Sequence, residues 1–193
     1  MTLEVACAAR THPLEQVCGD ATVLVEDDQR MTCVILDGVG HGDKAHQVVR
    51  KLTARARAAA TDDPAACLDA LHREAQGTVG AAVGILQIDV RSRSLTYTGL
   101  GNTSARVFGG TPRRLVSRDG VLGTNKHSAP VQSLRLSMGD VVVLHTDGVA
   151  SDFDRTGFPQ LLVASAGFLA EAILERSARQ YDDAACIVVK VVS

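Results

Sequence analysis

The chain has 193 residues, with 20 Lys and Arg against 22 Asp and Glu, a formal net charge of −2. That length suits a single domain spanning 1–193 that buries its own core without staples. A near-neutral balance speaks against nucleic-acid binding, the lack of Trp with only 2 Tyr and 4 Phe against a base-stacking platform, and the lack of an apolar run approaching about 18 residues against a membrane span.

The N-terminus MTLEVACAARTH has no basic start followed by an apolar stretch, so no signal peptide is expected. Five cysteines, an odd number at wide spacings with no C-x-x-C pair, argue against a zinc site or a disulfide framework. Cys7, Cys33 and Cys186 lie in apolar runs, where a reduced thiol behaves as a small hydrophobe. A reducing, cytoplasmic setting is the expectation.

Residues 3–9 alternate like a strand. ATVLVE at 21–26 and MTCVILD at 31–37 flank the polar break Asp27–Arg30 and predict a hairpin. From Asp43 to Ala60 the period becomes helical, with Ala45, Val48, Val49, Leu52, Ala56 and Ala59 in one apolar stripe. A second helix fits 64–76, with Pro64 in its first turn and Asp62 or Asp63 as cap. Strands are expected near 81–90, 94–98, 104–109, 132–136 and 140–146, then a helix at 167–180 and a last strand at 185–192. Hairpins grouped this way, with segregated helices, predict a layered α+β sandwich rather than a doubly wound parallel sheet.

Acidic residues gather at the ends of the β runs. Asp20 opens ATVLVE, Asp37 closes MTCVILD before Gly38, Asp147 closes VVVLHTD before Gly148, and Asp182 and Asp183 precede the terminal strand. In the hairpin, the start of one strand lies beside the end of the next, so Asp20 and Asp37 meet at one sheet edge. One Asp-Gly is ordinary turn chemistry. A whole set, each on a strand end, points to converging carboxylates that repel unless a cation neutralises them. Oxygen-only ligands select hard cations such as Mg2+, Mn2+ or Ca2+. Glycine after each Asp is expected to allow a tight turn and a close carbonyl approach.

With these residues in view, the chain resembles the SpoIIE-type branch of the metal-dependent protein phosphatases, the PPM family. DGVGHG at 37–42, followed by a helix, is similar to the family's metal-binding turn. GD at 19–20, GDVVVLHTDGV at 139–149 and DDAACIVVK at 182–190 are similar to its other motifs, in order and across the whole chain. The short length and GNTSARVF at 101–108 look most like the members that serve the bacterial stressosome.

The resemblance implies two antiparallel sheets packed face to face with helices outside, and two divalent ions, Mn2+ or Mg2+. By motif position, Asp37 bridges both ions and the Gly38 carbonyl binds the second. Asp147 and Asp182 complete the first, and Asp20 holds the second directly or through water. Asp183 stands where many relatives carry Asn. The implied activity is hydrolysis of phosphoserine or phosphothreonine by a metal-activated water, in stress-response signalling that resets sigma-factor regulators. The implied partners are phosphorylated STAS-domain proteins.

Animal relatives carry histidine directly after the first Asp-Gly; here that residue is Val39. His41, at the helix start, is the candidate to protonate the leaving oxygen. The phosphate-gripping arginine of some relatives has no clear counterpart; Arg10 matches it by position alone. The family's flap insertion has no counterpart between Ser104 and Asp147, so a small open site is expected, with specificity left to docking between folded proteins.

Other signals weigh less. Arg50, Lys51, Arg55 and Arg57 read as a solvated helix face or as a docking face for an acidic partner. GLGNTS at 99–104 is like a glycine-rich phosphate loop, but no helical pattern follows it. His145 with Ser151 and Asp152 matches a nucleophilic triad in composition alone. Two rival readings remain: a non-catalytic module on the same fold, and a phosphatase for small phosphate esters.

Overall fold

A computed structural model of the chain describes residues 1–60, 63–124, 129–151, 153, 158 and 160–192. The order is β1 (Thr2–Arg10), β2 (Asp20–Glu26), β3 (Arg30–Gly38), α1 (Gly42–Ala59), α2 (Pro64–Glu74), β4 (Ala81–Asp89), β5 (Ser94–Leu100), β6 (Ser104–Phe108), β7 (Arg113–Val116), β8 (Gln132–Arg135), β9 (Val141–His145), α3 (Ala166–Ser177) and β10 (Ala184–Val192). The strands form two five-stranded sheets, ordered β1-β10-β9-β6-β7 and β2-β3-β4-β5-β8. Every paired neighbour is antiparallel. The chain is α+β, as expected.

Three apolar clusters order the layers. Cys33, Ile35, Leu86 and Tyr97 of the second sheet meet Val107, Val142, Leu144 and Ile187 of the first, forming the seam between sheets. The other face of the second sheet, with Val34, Leu36, Val83 and Ile85, packs under α1 and α2. The outer face of the first, with Val141, Val143, Cys186 and Val188, packs under α3. Central strands are therefore buried on both faces, which explains why MTCVILD reads as a continuous apolar run rather than an alternating one. Along α1 the six residues of the expected stripe are all buried. Asp63 is the N-cap of α2, its carboxylate accepting from the Ala65 and Ala66 amides, with Pro64 in the first turn. Asp62 lies outside the described residues.

The structure departs from the sequence expectations in three places. β7 was not expected: of RRLV only Leu115 is buried, and the exposed arginines suit the edge strand it forms beside β6. The third helix ends at Ser177 rather than 180. Cys33, Cys67 and Cys186 are buried, but Cys7 is exposed on β1, the edge strand of its sheet. The five cysteines are free. Among the described residues no helix is long and apolar enough to cross a membrane.

Candidate functional site

Each sheet delivers carboxylates to the same end of the sandwich. In the second sheet, the β2–β3 register sets Asp20 directly opposite Asp37. In the first, β9 and β10 pair with His145 opposite Cys186. Asp147, just past β9, and Asp182, just before β10, therefore leave from one end of that pair. Thr146 ties the sheets together there. Its hydroxyl donates to Asp20 Oδ2 at 2.7 Å and accepts from the Ala185 amide at 3.0 Å.

Asp37, His41, Asp147 and Asp182 line a cleft of about 500 Å³. Asp20 and Gly38 are buried behind its wall. Gly101, Asn102 and Asp119–Val121 also line it. Sequence reasoning did not place Asn102 or Asp119 here, although GLGNTS had stood out. A larger groove of about 630 Å³ runs between α1 and residues 77–79, but no carboxylate lines it.

The carboxylates act on one another. Burial first, then the charges of Asp20 and Asp147, raise the Asp37 carboxyl to about 9. Asp20 is raised to about 7 by burial; the Thr146 hydroxyl pulls it down, while Asp183, Asp182 and Asp147 push it up. Asp182 is raised by burial and by Asp147. A fifth carboxylate, Asp183, is buried behind them. Its Oδ1 accepts from the His12 amide at 2.8 Å, and its Oδ2 has no partner.

This donor set fits a hard divalent cation. All the donors are oxygen, their mutual repulsion is what a cation relieves, and a buried carboxylate oxygen is left without a hydrogen bond. Among the described residues, no group of three or more His, Cys, Asp or Glu side chains stands in an arrangement that could hold a metal ion as the carboxylates now lie.

The Asp-Gly glycines have a steric reason beside the turn. Neither Gly38 nor Gly148 has a positive φ; the left-handed residues of DGVGHG are Gly40 and Gly42, at φ +85 and +69. A Cβ on Gly38 would lie 2.8 Å from the Ala45 carbonyl oxygen, and one on Gly148 would lie 1.8 Å from that of Asp183. Both glycines let two backbones touch where the carboxylates are delivered. Gly148→Ala should therefore push the Asp147 turn off β10 and destabilise the fold by about 2 kcal/mol. Urea unfolding checks this, and an unchanged midpoint would mean that the contact is soft.

The remaining candidates separate. His145 is not poised for nucleophilic catalysis. Its Nε2 meets Ser104 Oγ at 3.1 Å and its Nδ1 the Thr146 carbonyl at 2.9 Å, and burial holds its pKa below the ordinary histidine value. Asp152 lies outside the described residues. Arg10 donates to the Arg179 carbonyl and is not on the cleft wall. The basic residues of α1 do not share one face. At about 100° per residue, Arg50 and Arg57 fall on one line and Lys51 and Arg55 on another. Lys51 is paired with the Glu74 carboxylate at 3.0 Å.

A family model, stage II sporulation protein E (SpoIIE), matches residues 27–192. No curated protein matches the sequence. Several solved structures share the fold at low identity. One, described with the bacterial stressosome as a modular system adapted to control secondary messenger signaling, is 24% identical at TM-score 0.91, covering 98% of this chain and 100% of that one. RsbX in complex with magnesium is 19% identical at TM-score 0.85, covering 97% and 94%. The catalytic domain of the serine/threonine protein phosphatase PstP, in complex with two manganese ions, is 14% identical at TM-score 0.72, covering 99% of each chain.

Proposed function

Since the chain belongs to the stage II sporulation protein E (SpoIIE) family, we propose that it is a metal-dependent phosphatase of phosphoserine and phosphothreonine in proteins. The observation that carries this reading is the meeting of Asp37, Asp147 and Asp182 on one cleft wall, with Asp20 paired to Asp37 behind it. Asp20, Asp37, the Gly38 carbonyl, Asp147 and Asp182 are the groups to hold two divalent ions, Mn2+ or Mg2+. Such ions supply a water acidic enough to ionise near neutral pH and charge to offset the phosphoryl oxygens.

The chain's own residues do the rest. Thr146 fixes the Asp20 carboxylate through its Oδ2. The β2–β3 register keeps Asp37 at a set distance from Asp20, so the site is positioned by strands rather than by mobile loops. Gly101 and Asn102 line the same cleft. Among the described residues on its wall, His41 is the only side chain able to carry positive charge. It is placed to give a proton to the departing serine or threonine oxygen.

The substrates we propose are phosphorylated STAS-domain regulators of a stressosome, met in the cytoplasm. The support is the similarity to the stressosome structure and to RsbX. Incubation with Mn2+ and candidate phosphorylated STAS-domain proteins, following phosphate release, tests the reading. Release from small esters alone would favour a small-ester phosphatase, and release from neither would favour a non-catalytic module.

Docking has its own expected result. Arg50 and Arg57 are exposed on one line of α1, whose first turn adjoins the cleft. Reversing both, Arg50→Glu with Arg57→Glu, should slow dephosphorylation of the protein substrate about tenfold at low salt through lost charge steering. Hydrolysis of an aryl phosphate should stay within about twofold, because steering acts on large charged partners. kcat/KM for both substrates at low and high salt decides it; equal losses would mean a damaged fold.

A further inference from the structure

His41 stands at the N-cap of α1 but makes no side-chain cap bond. Residues selected for capping are Ser, Thr, Asp and Asn, so helix stability does not account for this imidazole. It is nonetheless held firmly, although 57% of its side chain is exposed. Its Nδ1 lies 2.5 Å from Glu15 Oε1. Its ring lies against that of His12, with centroids 4.7 Å apart and planes within 8°.

The groups that hold it are themselves fixed. The Glu15 amide donates to the His12 carbonyl at 2.9 Å. The Glu15 carboxylate lies over Gly42, where a Cβ would come within 2.6 Å of Oε2. It thus sits at the positive end of the α1 dipole, where a carboxylate is favoured. The His12 amide is bound by Asp183 at 2.8 Å, and its Nδ1 accepts from the Leu14 amide at 3.2 Å. The loop between β1 and β2 is therefore a bracket around one imidazole on the cleft wall.

Resting on the phosphatase reading, we propose that Glu15 is a positioning residue that makes His41 the proton donor to the leaving group. By occupying Nδ1, Glu15 fixes the ring orientation and leaves Nε2–H for the cleft, the arrangement by which a carboxylate orients a catalytic histidine. When the phosphorus–oxygen ester bond breaks, its electron pair goes to the serine or threonine oxygen, which takes the Nε2 proton and leaves as an alcohol. The new phosphorus–oxygen bond forms to the oxygen of water, and the proton that water gives up restores the imidazolium. One water is consumed, and phosphate is released.

This assignment makes a distinction that a loop clamp does not. p-Nitrophenol is a good leaving group and needs little protonation, whereas a serine oxygen is a poor one and needs it fully. With Mn2+ present, Glu15→Gln and His41→Asn are each expected to lose at least about tenfold more kcat on a phosphoserine peptide than on p-nitrophenyl phosphate, with KM nearly unchanged. The double variant should be no worse than His41→Asn, since the two act as one unit. Glu15→Asp, which keeps the charge, should recover part of the loss. Equal losses on both substrates, or none, would overturn the role of Glu15 while leaving the phosphatase reading intact. A wild-type protein inactive on both substrates would overturn the reading and this inference together.

Discussion

Asp37→Asn should lower kcat/KM on both a phosphoprotein and an aryl phosphate by more than about a thousandfold, roughly 4 kcal/mol of transition-state stabilisation. The change keeps the shape of the side chain and removes one charge from the position that meets Asp147 and Asp182 on the cleft wall, with Asp20 behind it. Folding should survive. Without metal, burial and the neighbouring carboxylates make the Asp37 charge unfavourable, so the variant should be at least as stable as the parent in chelator. Turnover near the parent level would remove Asp37 from the site. A collapse of stability would make its role structural.

Chelation should abolish hydrolysis of both substrates. Mn2+ or Mg2+ should restore it and Zn2+ should do so poorly, because the donors are oxygens rather than nitrogen or sulfur. Full activity in excess chelator would overturn the metal-dependent reading. Chelation should also leave a signature in stability against pH. Asp20 and Asp37, raised to about 7 and about 9 in the fold, ionise near 3.9 in the unfolded chain. Between those values the folded state holds protons that the unfolded state has released. Stability of the chelated protein therefore falls as pH rises through that window, and by pH 7 to 9 the remaining fall belongs mainly to Asp37. Buried His145, held neutral, adds nothing above neutral pH. Urea midpoints in chelator at pH 7 and pH 9 should differ more in the parent than in Asp37→Asn, and added Mg2+ should flatten the parent's slope.

Much of this was legible in the sequence because it is local. The pairing of Asp20 with Asp37 follows from one short hairpin, whose register its two β runs dictate. The α1 stripe follows from a single period of 3.6 residues. What escaped was set by distant parts of the chain. RRLV has no pattern of its own and becomes β7 only because β6 offers an edge. Asn102 and Asp119 reach the cleft through loops whose course no periodicity describes. Thr146 looks like any strand-end threonine until the other sheet brings Asp20 to it. Glu15 lies in a loop with no repeat, and its meeting with His41 depends on β1 and α1 both being in place. For Gly38 and Gly148 the residue type was informative, but the neighbouring backbone that each glycine admits, at Ala45 and at Asp183, was set by distant parts of the chain.

β1 pairs with β10 along its whole length, from Thr2 opposite Val192 to Arg10 opposite Ala184. β1 therefore precedes the other strands in chain order and β10 follows them, and β10 separates β1 from β9 in the sheet. The pairings from β2 to β5 can form among themselves, but β1 has no place in its sheet until β10 is present. A waiting strand with open backbone groups is a template for pairing with other chains, and such long-range closure is slow. A chain that holds every carboxylate of the cleft but lacks β10 would still leave β1 and β9 without the strand between them, and both edges exposed to misassembly.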